Sequence, residues 1–369
     1  MRLTIEHTTG DGARAGRLEL AHATISTPAF MPCASHAVVR ACPPHLVAGL
    51  GIEVMICNAY HLWQRPGADI IGVMGGLHEY MSWPGALMTD SGGFQAFSIG
   101  GNSGISEEGF AFRSHLSGEL LQLTPEVSIR IQNQLGSDVA MVLDECVAYP
   151  AERAYVADSL GRTARWAMRC KHAHGREDQA LFGIVQGGVY SELRASSAQM
   201  TVDIGFDGYA VGGLSVGESR QEMLAALEAV MPHLPVDAPR YVMGVGTPMD
   251  IVECARRGVD LFDCVLPTRN ARHGSLMTWQ GPLNIGRREF VTDERPLDPN
   301  CSCPACRRYS RAYLHHLHRA EEAAGWQLLS LHNVRFYVEL MERLRAAIAG
   351  DSIAQLAEQL SPWTQRDNE

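Results

Sequence analysis

Short apolar runs recur along the chain, each bounded by Gly, Pro, Asp or Asn: Ala29-Phe30-Met31, Val54-Met55-Ile56, Ala86-Leu87-Met88, Val139 to Leu143, Leu181 to Val185, Gly208 to Val211, Arg240 to Met243 and Val259-Asp260-Leu261-Phe262. Continuous rather than alternating apolar runs suit strands buried on both faces, as in a parallel sheet. Between most of them the apolar positions fall at helical spacing, over Pro44 to Leu50, Pro125 to Leu135 with Thr124 as N-cap, Ala151 to His172, Ser191 to Ile204, Arg220 to Met231 and Pro248 to Arg257. Strand–helix alternation of this extent predicts an α/β fold of the (β/α)8 TIM-barrel type. A doubly wound open sheet is the competing architecture, but no dinucleotide fingerprint comes after the first strand. Leu3 to Thr8 and Arg17 to Leu20 alternate like a small N-terminal β-hairpin, and Ser330 to Leu360 is helical by periodicity.

The residues at the C-terminal ends of these runs carry the functional information. Asn58 comes after the second run, Asp90 after the third, Asp144 after the fourth, Gln186 after the fifth, Gly212-Gly213 after the sixth, Gly244 after the seventh and Asp263 after the eighth. In a barrel these positions converge on the C-terminal rim, where barrel enzymes place their chemistry. Three carboxylates, two amides and two glycine turns are thus expected around one pocket mouth.

Composition narrows the class. Of 369 residues 46% are hydrophobic and 20% charged, an ordinary globular balance that excludes disorder, collagen and coiled coil. Glu53 and two glycines interrupt the most apolar stretch, Leu46 to Ile56, so neither a signal peptide nor a membrane span is read, and ten scattered cysteines suit a reducing, cytoplasmic location. A net charge of −10 argues against non-specific coating of nucleic acid. Between Leu266 and Ala320, however, nine arginines face only four acids, a basic window that can meet phosphates if it forms one surface.

Asp90 lies in Thr89-Asp90-Ser91-Gly92-Gly93-Phe94-Gln95, where paired glycines let backbone approach a ligand closely. A strand-end carboxylate there suits a general acid/base, although Asp-Ser-Gly-Gly alone also describes a tight turn with an Asx bond. Asp263 sits between apolar residues, where an acid must be paired, hydrogen-bonded or functional; Arg269 or Arg272 could serve as its partner. Two carboxylates across a barrel mouth can act as nucleophile and acid/base at a glycosidic carbon. Asp144-Glu145-Cys146 and Gln186-Gly187-Gly188 offer planar donors and acceptors suited to the edge of a heterocyclic base, joined by the Gly212-Gly213 amides. Cys301-x-Cys303-x2-Cys306 followed by His332 completes a closed tetrahedral zinc shell, hence a structural site in a subdomain of about residues 280–340. His315, His316 and His318 are rival fourth ligands, but they share one helical run soon after Cys306, whereas His332 is expected to begin a new helix and fold back.

With these motifs assembled, the chain resembles the tRNA-guanine transglycosylase family over nearly its whole length. The resemblance rests on Asn58-Ala59-Tyr60-His61-Leu62, Arg65-Pro66-Gly67, Thr89 to Gln95, Asp144-Glu145-Cys146, Val185 to Gly188, Ala210 to Glu218, Met243 to Pro248, Phe262 to Arg269 and the three cysteines with one histidine. It implies exchange of the wobble guanine in G-U-N anticodons, those of the Asp, Asn, His and Tyr tRNAs, for a 7-deazaguanine in queuosine biosynthesis. By matching position Asp263 is the nucleophile, Asp90 the general acid/base, and Asp144, Gln186 and the Gly213 amide read the base edge. Phe94 stacks on the base; Ser91, Asn58, Cys146, Gly212, Leu214 and Met243 complete the pocket; Arg269 and Arg272 hold the anticodon loop. One structural zinc per chain, a homodimer and a single catalytic domain over 1–369 are implied as well. Cys146 and Val216 match the bacterial type, which takes 7-aminomethyl-7-deazaguanine, with queuine as the alternative incoming base. The chain departs from the common pattern in Cys33-Ala34-Ser35-His36-Ala37, where Val-Gly-Thr is usual, and at Cys57 and Ala59, which replace a Gly and a Thr beside Asn58.

Three rival readings are weaker. A non-catalytic tRNA-binding partner subunit should have lost the nucleophile, and both acids are present. A barrel glycoside hydrolase should carry more Trp and Tyr at its strand ends. An archaeal-type exchanger should carry a further RNA-binding domain, for which the tail after Leu360 is too short.

Overall fold

A computed structural model describes residues 1–100 and 104–363. Eight parallel strands close into a barrel in chain order: Ala29–Ala34, Val54–Cys57, Ala86–Thr89, Val139–Met141, Ala180–Val185, Gly208–Val211, Arg240–Val242 and Leu261–Cys264. The eighth pairs back onto the first, with Phe262 opposite Phe30 and Asp263 opposite Met31. All eight expected strands are present, and their residues are almost all buried, which is why each reads as an unbroken apolar run.

The connecting helices begin where local chemistry satisfies their free N–H groups. Thr124 caps Pro125–Leu135 by accepting from the Val127 N–H, and that helix ends at Gly136 with φ of 68°. Ser219 and Glu222 form a reciprocal capping box ahead of Arg220–Val230, and Thr247 caps Pro248–Arg256. Long helices Arg153–Ala173 and Ser191–Ile204 pack against the fifth strand and against each other.

Two buried carboxylates fasten the N-terminal end of the barrel. Asp260 forms a two-pronged ion pair with Arg14 at 2.8 and 2.5 Å and accepts from the Arg240 N–H at 2.7 Å. Asp138 accepts from the N–H groups of Leu87 and His22 and from the His22 and His78 rings, which stack with centroids 3.7 Å apart. Both tie the N-terminal segment to the barrel floor and leave the opposite rim free for chemistry.

Four features differ from the sequence-based expectation. The N-terminal hairpin is a three-stranded antiparallel sheet, Arg2–Thr8, Arg14–Glu19 and Thr24–Thr27; the third strand is short and polar, so it carries little periodic signal. A second three-stranded sheet, Ile105–Ser106, Gly109–Arg113 and Leu120–Leu123, is inserted between the third strand and helix Pro125–Leu135. The tail is two helices, Ala323–Ala349 and Ile353–Gln359, separated at Gly350. Asp263 lies inside its strand rather than after it. No helix among the described residues is long and apolar enough to cross a membrane.

Candidate active site and metal centre

Barrel closure brings Asp90, Asp144 and Asp263 to one rim, and each carboxylate has its own donors. On Asp263, Oδ1 accepts from the Tyr241 hydroxyl at 2.5 Å and from the Gly244 N–H at 2.8 Å. Among the described residues Oδ2 receives only the Cys33 thiol, at 3.6 Å. Burial pushes this acid above the usual carboxylate range, and the Tyr241, Gly244 and Cys33 donors pull it back. One oxygen is therefore held rigidly and the other is nearly free.

Asp90 is gripped by the start of the next element. Its Oδ1 accepts from the Ala59 N–H at 2.8 Å and its Oδ2 from the Asn58 side-chain amide. Asn58 does two jobs, because its Oδ1 also caps helix Ala59–Gln64 through the His61 N–H at 2.9 Å. Burial, with the negative charges of Asp263 and Asp144 nearby, pushes Asp90 up to about 7, against the N–H groups of Ala59 and Gly92. Asp90 thus senses the other two acids and is poised to exchange a proton near neutrality.

Asp144 follows the fourth strand and is buried. Gln186 donates to its Oδ2 at 2.6 Å and Ser91 supplies a second side-chain hydrogen bond; burial still pushes it up to about 6. Gln186 is buried beneath the turn at Gly212 and Gly213. A Cβ at Gly213, whose φ is +64°, would come within 2.3 Å of Gln186 Oε1, and one at Gly212 within 2.7 Å of Nε2. Only glycines let this turn lie over the amide. Leu214 is buried beyond the turn, and Cys146 is half-buried with its thiol pushed up to about 12 by burial, so it stays neutral. Met243 is half-buried on the far side and Phe94 is 54% exposed at the start of helix Gly93–Gly100.

Arg269 and Arg272 lie on helix Leu266–Arg272, directly after the Asp263 strand. Arg269 is exposed and Arg272 half-buried; burial and the neighbouring charges of Arg40 and Arg269 lower Arg272 from its usual range. Mutual repulsion of this kind is relieved by a bound anion, and Arg40 joins a cluster in which sequence reasoning had placed only the other two.

Below this helix the four expected metal ligands come together. The ligand atoms of Cys301, Cys303, Cys306 and His332 all lie within 4.8 Å of one another. Contrary to expectation, His332 does not begin a helix but sits buried in the middle of Ala323–Ala349, which crosses behind the cysteine loop. Its Nδ1 is 3.3 Å from the Cys306 sulfur and 3.6 Å from that of Cys303, while Nε2 lies 3.0 Å from the Met277 carbonyl. A carbonyl on the outer nitrogen fixes the tautomer that presents a lone pair inward, the usual arrangement behind a metal-bound imidazole. The sulfur of Cys303 accepts from the Cys306 N–H at 3.4 Å and that of Cys306 from the Asp298 N–H at 3.4 Å, contacts that hold the two sulfurs in place. Three sulfurs and one nitrogen fit a closed divalent site. The next residue, Asn333, accepts from the Met277 N–H and donates to the carbonyls of Pro267 and Ser275, so the helix that carries His332 is braced against the helix that carries Arg269 and Arg272.

Tyr241, the Cys33 thiol contact and Arg194 were not anticipated. Tyr241 could have been found as the polar member of the seventh strand beside the Asp263 strand; Arg194 had only its place after Gly187-Gly188 to mark it.

Known proteins agree with the geometry. The family profile described as Queuine tRNA-ribosyltransferase matches residues 9–364. A queuine tRNA-ribosyltransferase of Moorella thermoacetica is 52% identical over 346 residues, covering 94% of this chain and 93% of that protein. Those of Solidesulfovibrio magneticus and Azoarcus sp. are 52% identical over 342 residues and 51% over 348, with 92% and 94% of each chain covered. With the acid-lined rim, the closed barrel and the Cys3His cluster in place, these matches make the chain a member of the queuine tRNA-ribosyltransferase family.

Proposed function

We propose that the chain exchanges the wobble guanine of G-U-N anticodon tRNAs for 7-aminomethyl-7-deazaguanine by double displacement, with Asp263 as nucleophile and Asp90 as general base. The observation that carries this reading is the unequal treatment of the two Asp263 oxygens. Oδ1 accepts from both Tyr241 and Gly244, whereas Oδ2 has one weak thiol donor among the described residues. Oδ2 attacks C1′ of the ribose, the C1′–N9 bond breaks and its electron pair leaves with guanine, which takes up its N9 proton from solvent. Asp90 then takes the N9 proton of the incoming base, N9 attacks C1′, and the C1′–Oδ2 bond breaks to restore the carboxylate. Two inversions retain configuration and give ping-pong kinetics.

Base selection comes from donor–acceptor logic. Asp144 accepts from the N1 and N2 protons of a guanine-like edge, and the Gln186 amide and Gly213 N–H donate to its O6. Phe94 stacks on the ring, with Ser91, Asn58, Cys146, Gly212, Leu214 and Met243 around it. Arg269, Arg272 and Arg40 hold anticodon-loop phosphates. Zinc at Cys301, Cys303, Cys306 and His332 is structural: all four positions are protein ligands, so it contributes folding energy and fixes the arginine helix through Asn333. The chain acts as a homodimer, a reading supported by a contiguous segment, Ile70, Val73, Met74 and Tyr80, that leaves large apolar side chains exposed, Val73 by 88%.

Labelled guanine should enter unmodified G-U-N tRNA and be displaced by 7-aminomethyl-7-deazaguanine; displacement by queuine alone would reverse the choice of base, and no incorporation would sink the exchange reading. Asp263→Asn should abolish the trapped covalent tRNA adduct while tRNA binding survives. Because Asp90 must be ionised to act as a base and is raised to about 7, exchange should climb with pH through about 7 and fall on the acid side. An unchanged acid limb in Asp90→Asn would remove it from that role. Cys303→Ser should strip the metal, lower the melting temperature and weaken tRNA binding; a metal-free protein of full stability contradicts the structural role. Val73→Asp should shift the protein from dimer to monomer in light scattering, and an unaltered mass would place the interface elsewhere.

A further inference from the structure

The side chain of Arg194 is fully buried, on the first turn of helix Ser191–Ile204, and every hydrogen bond it makes among the described residues goes to a backbone carbonyl. Nε donates to Gly188 at 2.7 Å, Nη1 to Gly212 at 2.7 Å and to Val185 at 3.2 Å, and Nη2 to Gly213 at 3.0 Å. A buried cation without a paired carboxylate is costly, and burial lowers Arg194 to about 10, still charged at neutral pH. Four carbonyl dipoles replace its lost hydration, and they come from the rim loops of two adjacent strands.

Those loops carry Gln186 and the Gly212-Gly213 turn. The Gly212 carbonyl belongs to the same rigid peptide plane as the Gly213 N–H and points the opposite way. Holding that oxygen at 2.7 Å therefore aims the Gly213 N–H, which also reaches the Cys146 thiol, toward the pocket side. The neighbouring Gly187 has φ of +140°, and a Cβ there would lie 2.8 Å from the Arg194 backbone nitrogen, so the loop is built to let this helix turn approach. A guanidinium behind the peptide also polarises it, which strengthens the N–H on the other side.

We propose that Arg194 is a positioning residue for base recognition: it aims and polarises the Gly213 N–H at the carbonyl oxygen of a guanine-like base, in the bound base and in the base as it leaves. This rests on the base-edge reading above. Its mark is selectivity, because a residue that merely braces the loops weakens all purines alike, whereas one that acts through a single donor weakens only purines with an acceptor at that position.

The test compares Arg194→Lys, Arg194→Gln and Arg194→Met with the wild-type holoenzyme, reading inhibition constants for guanine and for 2-aminopurine, which lacks O6, together with tRNA affinity and melting temperature. Wild-type binding of guanine and its incorporation into tRNA check the base-edge reading separately. In the variants guanine should weaken by roughly tenfold, the scale of one well-placed hydrogen bond, with 2-aminopurine and tRNA affinity unchanged. Lysine should recover part of the loss, since an ammonium reaches some of the four carbonyls. Equal weakening of both purines, no change in either, or loss of folding in all three variants would overturn the proposal and leave Arg194 as a structural brace.

Discussion

Everything at the rim depends on closure of the barrel between its last and first strands. Asp263 stands on the eighth strand and its nearly free oxygen faces Cys33 of the first, a contact that exists only because Asp263 pairs with Met31. The same closure sets Asp263 within electrostatic range of Asp90, just after the third strand. Ion pairs and hydrogen bonds at the opposite end, around Asp260 and Asp138, hold the register that makes this convergence reproducible. Stability and chemistry are thus segregated to the two ends, as the barrel architecture favours.

Bringing three carboxylates together in a poorly solvated mouth creates a problem that the donor sets resolve. Without donors, burial and mutual repulsion would protonate all three. Instead each acid receives a different allotment: Tyr241, Gly244 and Cys33 for Asp263; Asn58, Ala59 and Gly92 for Asp90; Gln186 and Ser91 for Asp144. Asp90 settles at about 7 and Asp144 at about 6. Groups of one chemical type are thereby given different proton affinities by environment alone.

Much of this was legible in the sequence because it is written in short-range patterns. The eight apolar runs marked the strands, and the residue at the end of each run marked the rim. The cysteine spacing with His332 marked the metal ligands, although His332 lies mid-helix: a long buried helix and a helix start both read as apolar periodicity. The inserted sheet around Gly109–Arg113 was missed because its strands are short and divided by turns. Arg194 was invisible for a different reason. Its partners are backbone carbonyls, which every sequence possesses, and only the three-dimensional path of Gly188, Gly212 and Gly213 gathers them around one side chain.

The departures from the common family pattern separate by the same criterion. Ala59 meets Asp90 through its backbone N–H and Cys57 through its carbonyl, which accepts from the Asp90 N–H at 3.1 Å. A change of side chain at either position leaves those hydrogen bonds intact. Cys33 is different, because its thiol itself touches the Asp263 carboxylate. Where the usual valine offers no donor, the thiol places a weak one on Asp263 Oδ2 and so modestly stabilises the charged carboxylate. A thiol is a feeble donor, so the contact tunes the carboxylate without tying Oδ2 down.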